Sequence, residues 1–253
     1  MRRRKNNMYH LKVTFSTASR VLRQLSHDHR TVALIFIVPC LLLALLRWMF
    51  TDTIGTFNHF APALLGVFPF VIMFIITSIT TLRERVGGTM ERLMTTPLGK
   101  LDFILGYMIA FGLMAVIQAL LASTLLLYVF NLDVAGPHWF LILVALADAL
   151  LGTALGLFVS AFAKSEFQAV QFMPAFVLPQ FLIGGLFMPL DKMPGLLETI
   201  AYFLPLTYVI DALTAVVGNT DVTGDMWRDF WVVLAFMIGA ILLGALTLRR
   251  KTK

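Results

Sequence analysis

Long apolar stretches recur along the 253-residue chain, and they constrain its fold more than any other feature of the sequence. A bilayer core needs about 20 apolar residues per helical crossing, so stretches of this length predict membrane spans. A hydrophobic content of 59% and a mean hydropathy of +0.85 are typical of a polytopic membrane protein. Six stretches qualify: residues 32–50, 60–82, 101–130, 139–163, 169–190 and 230–248. We therefore expect an all-α membrane protein with six transmembrane helices.

The basic residues indicate how these spans are oriented. With the first residue in the cytoplasm, seventeen of the 20 Lys and Arg residues fall in segments that the six spans place inside. Cytoplasmic loops carry this bias, so both termini are predicted to be cytoplasmic. Residues 196–217 are long enough to span, but they contain Pro205, Glu198 and Asp211, and a seventh span would move the basic tail outside. We expect this stretch to be a re-entrant or interfacial element.

The whole chain, residues 1–253, is expected to form one transmembrane domain. Residues 1–31 would be a cytoplasmic or interfacial segment, residues 32–248 the six-span bundle and residues 249–253 a cytoplasmic tail. Apolar and basic residues alternate with helical spacing before the first span, which predicts an interfacial helix; a solvated linker is the alternative. In the fourth span, Gly152 and Gly156 belong to a stripe of small residues that predicts a close helix contact, within the fold or between copies.

Signatures of enzymatic chemistry are missing from the sequence. It contains no G-x-x-x-x-G-K-[ST], since the Gly99-Lys100 pair is followed by Leu101, and it contains no H-E-x-x-H or G-x-S-x-G. A single cysteine, Cys40, excludes an internal disulfide. The net charge of +6 follows the predicted topology, so lipid is a better partner for it than nucleic acid. We expect no cofactor or metal in this chain, and an energy source outside it.

Polar and aromatic side chains inside the predicted spans are candidates for a substrate path. A polar side chain is costly in lipid, so it should face protein or water. A carboxyl near the middle of the bilayer, such as that of Asp148, could attract a cationic substrate or carry a proton; a structural hydrogen bond is the alternative, as helix packing is for the aromatic residues. The candidates are Phe68, Phe74, Gln118, Asp148, Phe176, Gln180 and Phe181.

Residues 83–100, RERVGGTMERLMTTPLGK, join the second and third spans. Gly87 and Gly88 supply a break, Thr89 is a possible N-cap, and Pro97 would end a helix of about two turns. Such a helix could seat in a cytoplasmic partner and transmit motion to the spans that it joins. An ordinary polar loop is equally compatible with the spacing.

Two segments of the chain resemble the ABC-2 permease family, the membrane partners of drug, lipid and polysaccharide export ATPases. ERVGGTMERLMTTPL, at residues 84–98, is similar to the family pattern R-E-R-x-x-G-T-x-E-x-L-x-x-T-P, with one extra residue in R-V-G-G-T. Residues 184–217 resemble the family region that carries P-x-x-x-M-P and then P-L-T-Y. The short chain and small outer loops look most like the daunorubicin-type drug-efflux permeases.

The resemblance implies roles for particular residues. A coupling helix would dock on the ATPase through Glu84, Gly88, Thr89, Glu91, Arg92, Leu93, Met94, Thr96 and Pro97. The loop at residues 164–168, with Lys164 and Glu166, would make a second contact. Extracellular re-entrant helices would include Pro189, Met193, Pro194, Pro205, Thr207 and Tyr208.

The same resemblance implies an assembly and an activity. Two copies of this chain would pair around a conduit between spans two and five, bind two copies of a separate ATPase that carries ATP and Mg, and export a hydrophobic or amphipathic compound across a bacterial or archaeal cell membrane. A glycolipid or polysaccharide cargo is the first alternative. A proton-coupled secondary transporter that uses Asp148 is the second, although the sequence has no evident internal repeat.

Overall fold

Nine α-helices follow one another in the part of the chain that the computed structural model describes, residues 2–88 and 99–247, with the backbone alone described for residues 2–9. They are α1 (Arg2–His27), α2 (His29–Met49), α3 (Ile54–Val86), α4 (Lys100–Thr124), α5 (His138–Ser160), α6 (Glu166–Ile183), α7 (Gly195–Ala201), α8 (Pro205–Gly218) and α9 (Gly224–Thr247). A π-helical turn, Leu125–Val129, continues α4, and a 3₁₀ turn, Leu190–Lys192, precedes α7. No strand occurs in these ranges, which confirms the all-α fold class.

Five helices of the described ranges are long and apolar enough to cross a membrane: α2, α3, α4 with its π turn, α5 and α9. They cover most of the first four predicted spans and, within the described residues, the last one. The helices α7 and α8 reach the required length only as a pair, and the pair is bent by 91°. This pair covers residues 196–217, the stretch that the distribution of basic residues predicted not to be a straight span.

The predicted fifth span, residues 169–190, is shorter in the structure than expected. Its helix, α6, has 18 residues and ends at Ile183, so Pro189 lies outside it. Gly184 ends the helix, and a Cβ at this position would lie 2.3 Å from the Gln180 carbonyl oxygen. Gly185 follows with a φ of +97°, in the left-handed region that residues other than glycine rarely adopt. The double glycine therefore turns the chain before the predicted end.

Helices α3 and α5 form the centre of the bundle, and their backbones touch. A Cβ added at Gly152 would lie 2.6 Å from the carbonyl oxygen of Phe70, and one at Gly156 would lie 2.6 Å from that of Phe74. Both glycines are buried in this contact. The stripe of small residues in the fourth span is thus a packing face within the chain, one of the two alternatives that the sequence allowed.

The two ends of the bundle differ in chemistry. The basic end carries Arg83 and Arg85 at the end of α3, Lys100 at the start of α4, and Lys164 between α5 and α6. Helix α1 packs along this end against α4, where a Cβ at Gly106 would lie 2.7 Å from the Thr17 Cβ. Its buried face consists of Thr14, Thr17, Ala18, Val21 and Leu25. The interfacial segment expected before the first span is therefore a helix that is fixed to the bundle.

Aromatic side chains mark the opposite end. The Trp227 ring lies 6.3 Å from that of Trp139, 5.2 Å from that of Phe140 and 5.7 Å from that of Phe230, between centroids. Tryptophans that join the starts of two spans in this way are typical of the level at which a membrane meets water. Near the same end, the Arg47 guanidinium lies 5.3 Å from the centroid of the Phe57 ring, a cation–π contact.

The backbone contact between α3 and α5 predicts a clear difference between two Gly→Ala substitutions. Gly152→Ala should destabilise the protein by about 1–3 kcal/mol, because the new methyl group meets backbone that cannot move aside. Gly239→Ala is the matched control, since nothing lies within 4 Å of a Cβ added there in α9. Thermal unfolding in detergent measures both. An equal loss of stability in the two variants would contradict the packing described here.

Candidate functional site

The end of α3 places three consecutive charged residues, Arg83, Glu84 and Arg85, at the basic end, directly before residues 89–98. Each contacts a different element of the bundle. We call these three residues and their partners the α3-end cluster. The cluster links the end of α3 to α1, α5 and α6, so the position of the chain that follows α3 is tied to all three helices.

Arg83 binds the first residue of α6. Its Nε donates to Glu166 Oε1 over 2.7 Å and its Nη2 donates to Glu166 Oε2 over 2.9 Å, a two-point contact. Both side chains are about half exposed, at 57% and 52%. The hydrogen bonds from Arg83 lower the pKa of the Glu166 carboxyl. Glu166 lies outside the predicted span, three residues before its start at residue 169. An exposed ion pair adds little stability, so its main effect is on geometry.

Glu84 binds α1, and this contact is more enclosed. Arg20 donates from Nη1 to Glu84 Oε1 over 3.2 Å and from Nη2 to the Tyr107 hydroxyl over 2.9 Å. The Glu84 side chain is only 10% exposed. Burial alone lowers the pKa of Arg20, but Tyr107 and Glu84 raise it above its usual value. This contact joins α1, α3 and α4 through hydrogen bonds to charged groups, the stronger kind.

Arg85 reaches the end of α5. Its Nη1 donates to the Ala161 carbonyl oxygen over 2.6 Å, and its Nη2 donates to the Ala163 carbonyl oxygen. The last carbonyls of a helix have no partner within the helix, so a guanidinium satisfies them well. The loop that this contact fixes is the one that continues to Lys164 and Glu166.

Helix α1 also holds the start of α4. The carboxylate of Asp102 accepts from the Gly99 backbone N–H over 3.0 Å, and Nδ1 of His10 lies 2.7 Å from the same oxygen. Gly99 directly follows residues 89–98. Both chain ends that flank this segment are therefore bound to α1, one through Glu84 and the other through Asp102.

Aromatic rings line the contact between α3 and α6. The rings of Phe74 and Phe176 have centroids 6.4 Å apart; Phe70 continues the row along α3, and Phe172 continues it along α6. Phe74 is fully buried, whereas Phe176 is 43% exposed. The row forms an apolar path between the two helices that reaches the surface of the protomer.

Gln180 connects this row to α8. Its Nε2 donates to the Phe176 carbonyl oxygen over 2.7 Å, and its Oε1 accepts from the Leu206 N–H over 3.1 Å at the start of α8. The far end of α8 binds the loop between α4 and α5, since the Ala135 N–H donates to the Val217 carbonyl oxygen over 3.1 Å. Helix α8 therefore begins beside α6, inside the bundle, and ends at the aromatic end.

The ABC-2 type transporter model matches residues 13–217, which is most of the chain. The chain belongs to the ABC-2 type transporter family. Three relatives show the range of this family. ABC transporter G family member 20 of Dictyostelium discoideum is 25% identical over 198 residues, which cover 78% of this chain and 27% of the relative. The probable multidrug ABC transporter permease YbhS of Escherichia coli is 24% identical over 179 residues, 70% of this chain and 48% of the relative. The linearmycin resistance permease protein LnrN of Bacillus subtilis is 27% identical over 187 residues, 71% of this chain and 48% of the relative.

The aligned part of this chain thus spans about half the length of the two bacterial ABC-2 relatives, and less of the Dictyostelium protein. Membership confirms the resemblance that the two sequence segments indicated. The daunorubicin-type subfamily stays a prediction.

The structure describes some of the predicted coupling residues of this ABC-2 chain. Glu84 and Glu166 belong to the α3-end cluster, Gly88 follows it with a φ of +72°, and Lys164 donates its backbone N–H to Gln168 Oε1 over 2.8 Å. The others lie outside the described residues: Thr89, Glu91, Arg92, Leu93, Met94, Thr96 and Pro97.

Two of the predicted path residues lie apart from the α3–α6 row. Gln118 is fully buried and donates from Nε2 to the Ile35 carbonyl oxygen over 2.7 Å, which ties α4 to α2. Asp148 is fully buried in α5; one of its carboxyl oxygens lies 3.9 Å from the position of a Cβ at Gly66, and neither has a hydrogen-bond partner among the described residues. Phe68 is half-buried in α3, and the Phe181 ring meets that of Phe187 at 5.2 Å.

The predicted re-entrant residues surround the bend between α7 and α8. Pro205 is the first residue of α8, the Thr207 hydroxyl donates to the Ala201 carbonyl oxygen over 2.9 Å, and the Tyr208 hydroxyl donates to the Tyr202 carbonyl oxygen over 2.8 Å. The Tyr208 bond supplies a partner for a carbonyl at the break, and the Ala201 carbonyl also accepts from the Leu204 N–H over 2.9 Å. Pro189, Met193 and Pro194 lie in the exposed or half-exposed turn before α7.

The sequence alone did not reveal Arg20, Tyr107, His10 or Asp102 as parts of this site. Arg20 and Glu84 are 64 residues apart and His10 and Asp102 are 92 apart, so no local pattern pairs them. The available signal was the apolar spacing of α1, which places Arg20 beside the buried Val21.

The attachment of α6 to α3 should weaken in acid. The pKa of Glu166 is lowered by Arg83, so the ion pair is complete above the ordinary pKa of a glutamate and is lost as the pH falls through the lowered value. Spin labels at Val86→Cys and Phe167→Cys, both exposed positions, in a Cys40→Ser background should show a longer and broader distance at low pH. The further variant Glu166→Gln should give the broad distribution at every pH. A transition that persists in Glu166→Gln would assign it to another group.

A buried and an exposed glutamine of α6, Gln180 and Gln171, give a second test. Gln180→Leu should release the start of α8, because the Leu206 N–H loses its acceptor, and should speed hydrogen exchange at Leu206 by at least about tenfold. Gln171→Leu is the matched control, since this exposed side chain makes no hydrogen bond with the described residues. If exchange at Leu206 is equally fast in both variants, Gln180 does not hold α8.

Proposed function

We propose that this chain is the membrane-spanning permease subunit of an exporter that is driven by a separate ATPase. The observation that carries the proposal is that the α3-end cluster and the contact of Asp102 with His10 bind the two flanks of residues 89–98 to α1, within a chain of the ABC-2 family. A segment held in this way can pass a push from outside into several helices at once. Because the sequence of residues 89–98 resembles a coupling helix, the partner that pushes on it would be an ATPase.

The partner is an ATP-binding subunit in two copies, with ATP and Mg bound to it. These 253 residues contain no glycine-rich phosphate loop, and the ATP-binding partner would supply one. Residues 89–97 would insert into the partner, and the loop with Lys164 and Glu166 would make a smaller contact. The Arg83–Glu166 ion pair joins these two contact regions.

The basic end faces the cytoplasm in this proposal, with both termini on that side of a bacterial or archaeal cell membrane. The support is the distribution of Lys and Arg, since cytoplasmic segments keep them preferentially. The aromatic end, with Trp139 and Trp227, would face the exterior. The bent pair of α7 and α8 would then re-enter from outside.

A second copy of the chain would cover α6. Within the protomer this helix buries only Ala169, Val177 and Gln180, and the side chain of Gln171 is exposed on its apolar surface. A glutamine that faces lipid is costly, whereas across a helix–helix contact it can find a partner. A homodimer through α6 would place the row of Phe74 and Phe176 beside the two-fold axis and so form the conduit.

Movement would reach this conduit through the α3-end cluster. When the ATPases close on ATP, the segment at residues 89–97 would be displaced, and with it the end of α3. Because Arg83 holds Glu166, α6 would follow α3, and because Arg85 holds the end of α5, the two central helices would move together. The rings between α3 and α6 favour a hydrophobic or amphipathic cargo, and the names of two relatives, a multidrug and a linearmycin resistance permease, agree with this class.

Replacement of residues 89–97 by a Gly-Ser linker of equal length should abolish binding of the ATPase and leave membrane insertion intact. The partner to use is a Walker-motif ATPase encoded beside this chain, and co-purification from detergent extracts is the measurement. The control replaces residues 219–223, between α8 and α9 at the aromatic end, with the same kind of linker. ATPase retained by the first variant would contradict the coupling role.

The alternative that the sequence left open, a proton-coupled carrier, makes the opposite prediction. Asp148 is its only proposed proton site, and vesicles with this chain alone should then accumulate cargo under a proton gradient. We expect no transport without the ATPase and ATP. A glycolipid or polysaccharide cargo would instead appear as an altered cell envelope in a strain that lacks the chain, with no change in drug resistance.

A further inference from the structure

The cations of α1 are in different chemical situations. Arg20 is bound by Glu84 and Tyr107. On the exposed side of α1, the side chains of Lys12 and of Arg23, one turn after Arg20, make no ion pair or hydrogen bond with the described residues. Since α1 is packed on α4, the free cations lie next to the outer surface of the bundle and not in its interior.

A groove runs between this side of α1 and α4. It has a volume of about 420 Å³ and is lined by Phe15, Ala18, Ser19, Leu22, Arg23, Ser26 and Ile109. Most of the lining is hydrocarbon, with the Arg23 guanidinium and the Ser19 hydroxyl at the polar edge. None of the described lining residues is acidic, so nothing in the groove neutralises Arg23.

The apolar part of the groove continues along α4, away from the basic end. Leu105, Ile109, Leu113 and Ile117 are four residues apart, so they form one line on the helix surface, and all four are between 39% and 50% exposed. Phe15 and Leu11 extend the same surface onto α1, at 60% and 57% exposed. A linear apolar strip that begins beside an unpaired cation is complementary to a phospholipid, whose phosphate is negative and whose acyl chains are hydrocarbon.

We propose that the α1–α4 groove is a binding site for an anionic phospholipid. The phosphate binds the Arg23 guanidinium and the Ser19 hydroxyl, and one acyl chain lies over Ile109 and follows the strip towards Ile117. An anionic headgroup is favoured because Lys12 adds a second free positive charge on the same helix, with no acidic side chain in the groove. The inference rests on the placement of the basic end at the membrane interface, not on the identity of the cargo or on the ATPase.

Lipid in this groove would fix α1 from the side opposite to the α3-end cluster. Helix α1 then lies between a lipid and the residues Glu84 and Asp102 that flank the coupling segment. A change in the anionic lipid content of the inner leaflet would alter how firmly both flanks are held. The site thus offers the membrane a means of regulating coupling.

Native mass spectrometry of the purified full chain tests the site. Phosphatidylglycerol and phosphatidylcholine with identical acyl chains are titrated separately, and bound lipid is counted. The expected result is preferential retention of phosphatidylglycerol, which falls about fivefold in Arg23→Gln, the effect of one basic residue near an anionic surface. Ser19→Asp should cause a similar loss, because it places an acid beside the phosphate.

The controls remove or add the same charges outside the groove. Arg30→Gln, in the first turn of α2, and Thr220→Asp, in the exposed loop between α8 and α9, should retain phosphatidylglycerol as the unaltered chain does. Thermal unfolding establishes that the four variants are folded. Glycerol 3-phosphate, which has the phosphate without the chains, should not displace the lipid.

Three results would overturn the proposal. Equal retention of the two lipids would show that Arg23 does not select an anionic headgroup. An equal loss in Arg30→Gln and Arg23→Gln would show a diffuse surface charge instead of a site. Displacement by glycerol 3-phosphate would show an anion site without a lipid chain. Each of these is independent of ATPase binding, so the exporter function can stand or fall separately.

Discussion

Direct backbone contact between α3 and α5 is the constraint on which the rest of the structure depends. In lipid, helices gain little from burying apolar side chains, since lipid tails are equally apolar, so close van der Waals packing must hold them. Gly152 and Gly156 provide this by letting two turns of α5 touch the backbone of α3. The 33 residues of α3 are thereby held in one position, from the aromatic end to the charged residues at its other end.

The charged end of α3 lies between α1, α5 and α6, and its contacts with them fix the position of the helix end. None of its contacts is strong alone: the Arg83–Glu166 pair is half exposed, and Arg85 binds carbonyls at the end of a helix. Their value is geometric, because three successive side chains point to three different helices and leave the backbone after them little freedom. A helix end that is held in several directions moves as a unit with its neighbours. This is the mechanical property that the coupling role proposed for residues 89–98 would require.

The predictable part of this fold follows from hydrophobic length, and the unpredictable part follows from contacts between distant residues. Spans 32–50, 60–82, 101–130 and 139–163 were found correctly because their apolar runs match helices nearly end to end. The last span was predicted to start at residue 230 but α9 starts at Gly224, since Asp225, Arg228 and Asp229 make the first turns polar. The predicted end of the fifth span at residue 190 was wrong because the Gly184–Gly185 turn lies within an apolar run, so hydropathy does not reveal it.

At the site, Glu84 and Glu166 were named from motif and position, whereas their partners Arg20 and Arg83 could not be paired with them without a fold. Gln118 and Asp148 looked alike in sequence, yet one is hydrogen-bonded to Ile35 and the other has no partner among the described residues.

The 91° bend between α7 and α8 leaves α8, with 14 residues, too short to span a membrane by itself. This helix is bound at its start by the amide of Gln180 and at its end by two backbone hydrogen bonds from the Ala135–Gly136 turn. A short helix of this kind can shift without unwinding any full-length helix. The contact between α3 and α5 through Gly152 and Gly156 could therefore stay closed while α8 moves.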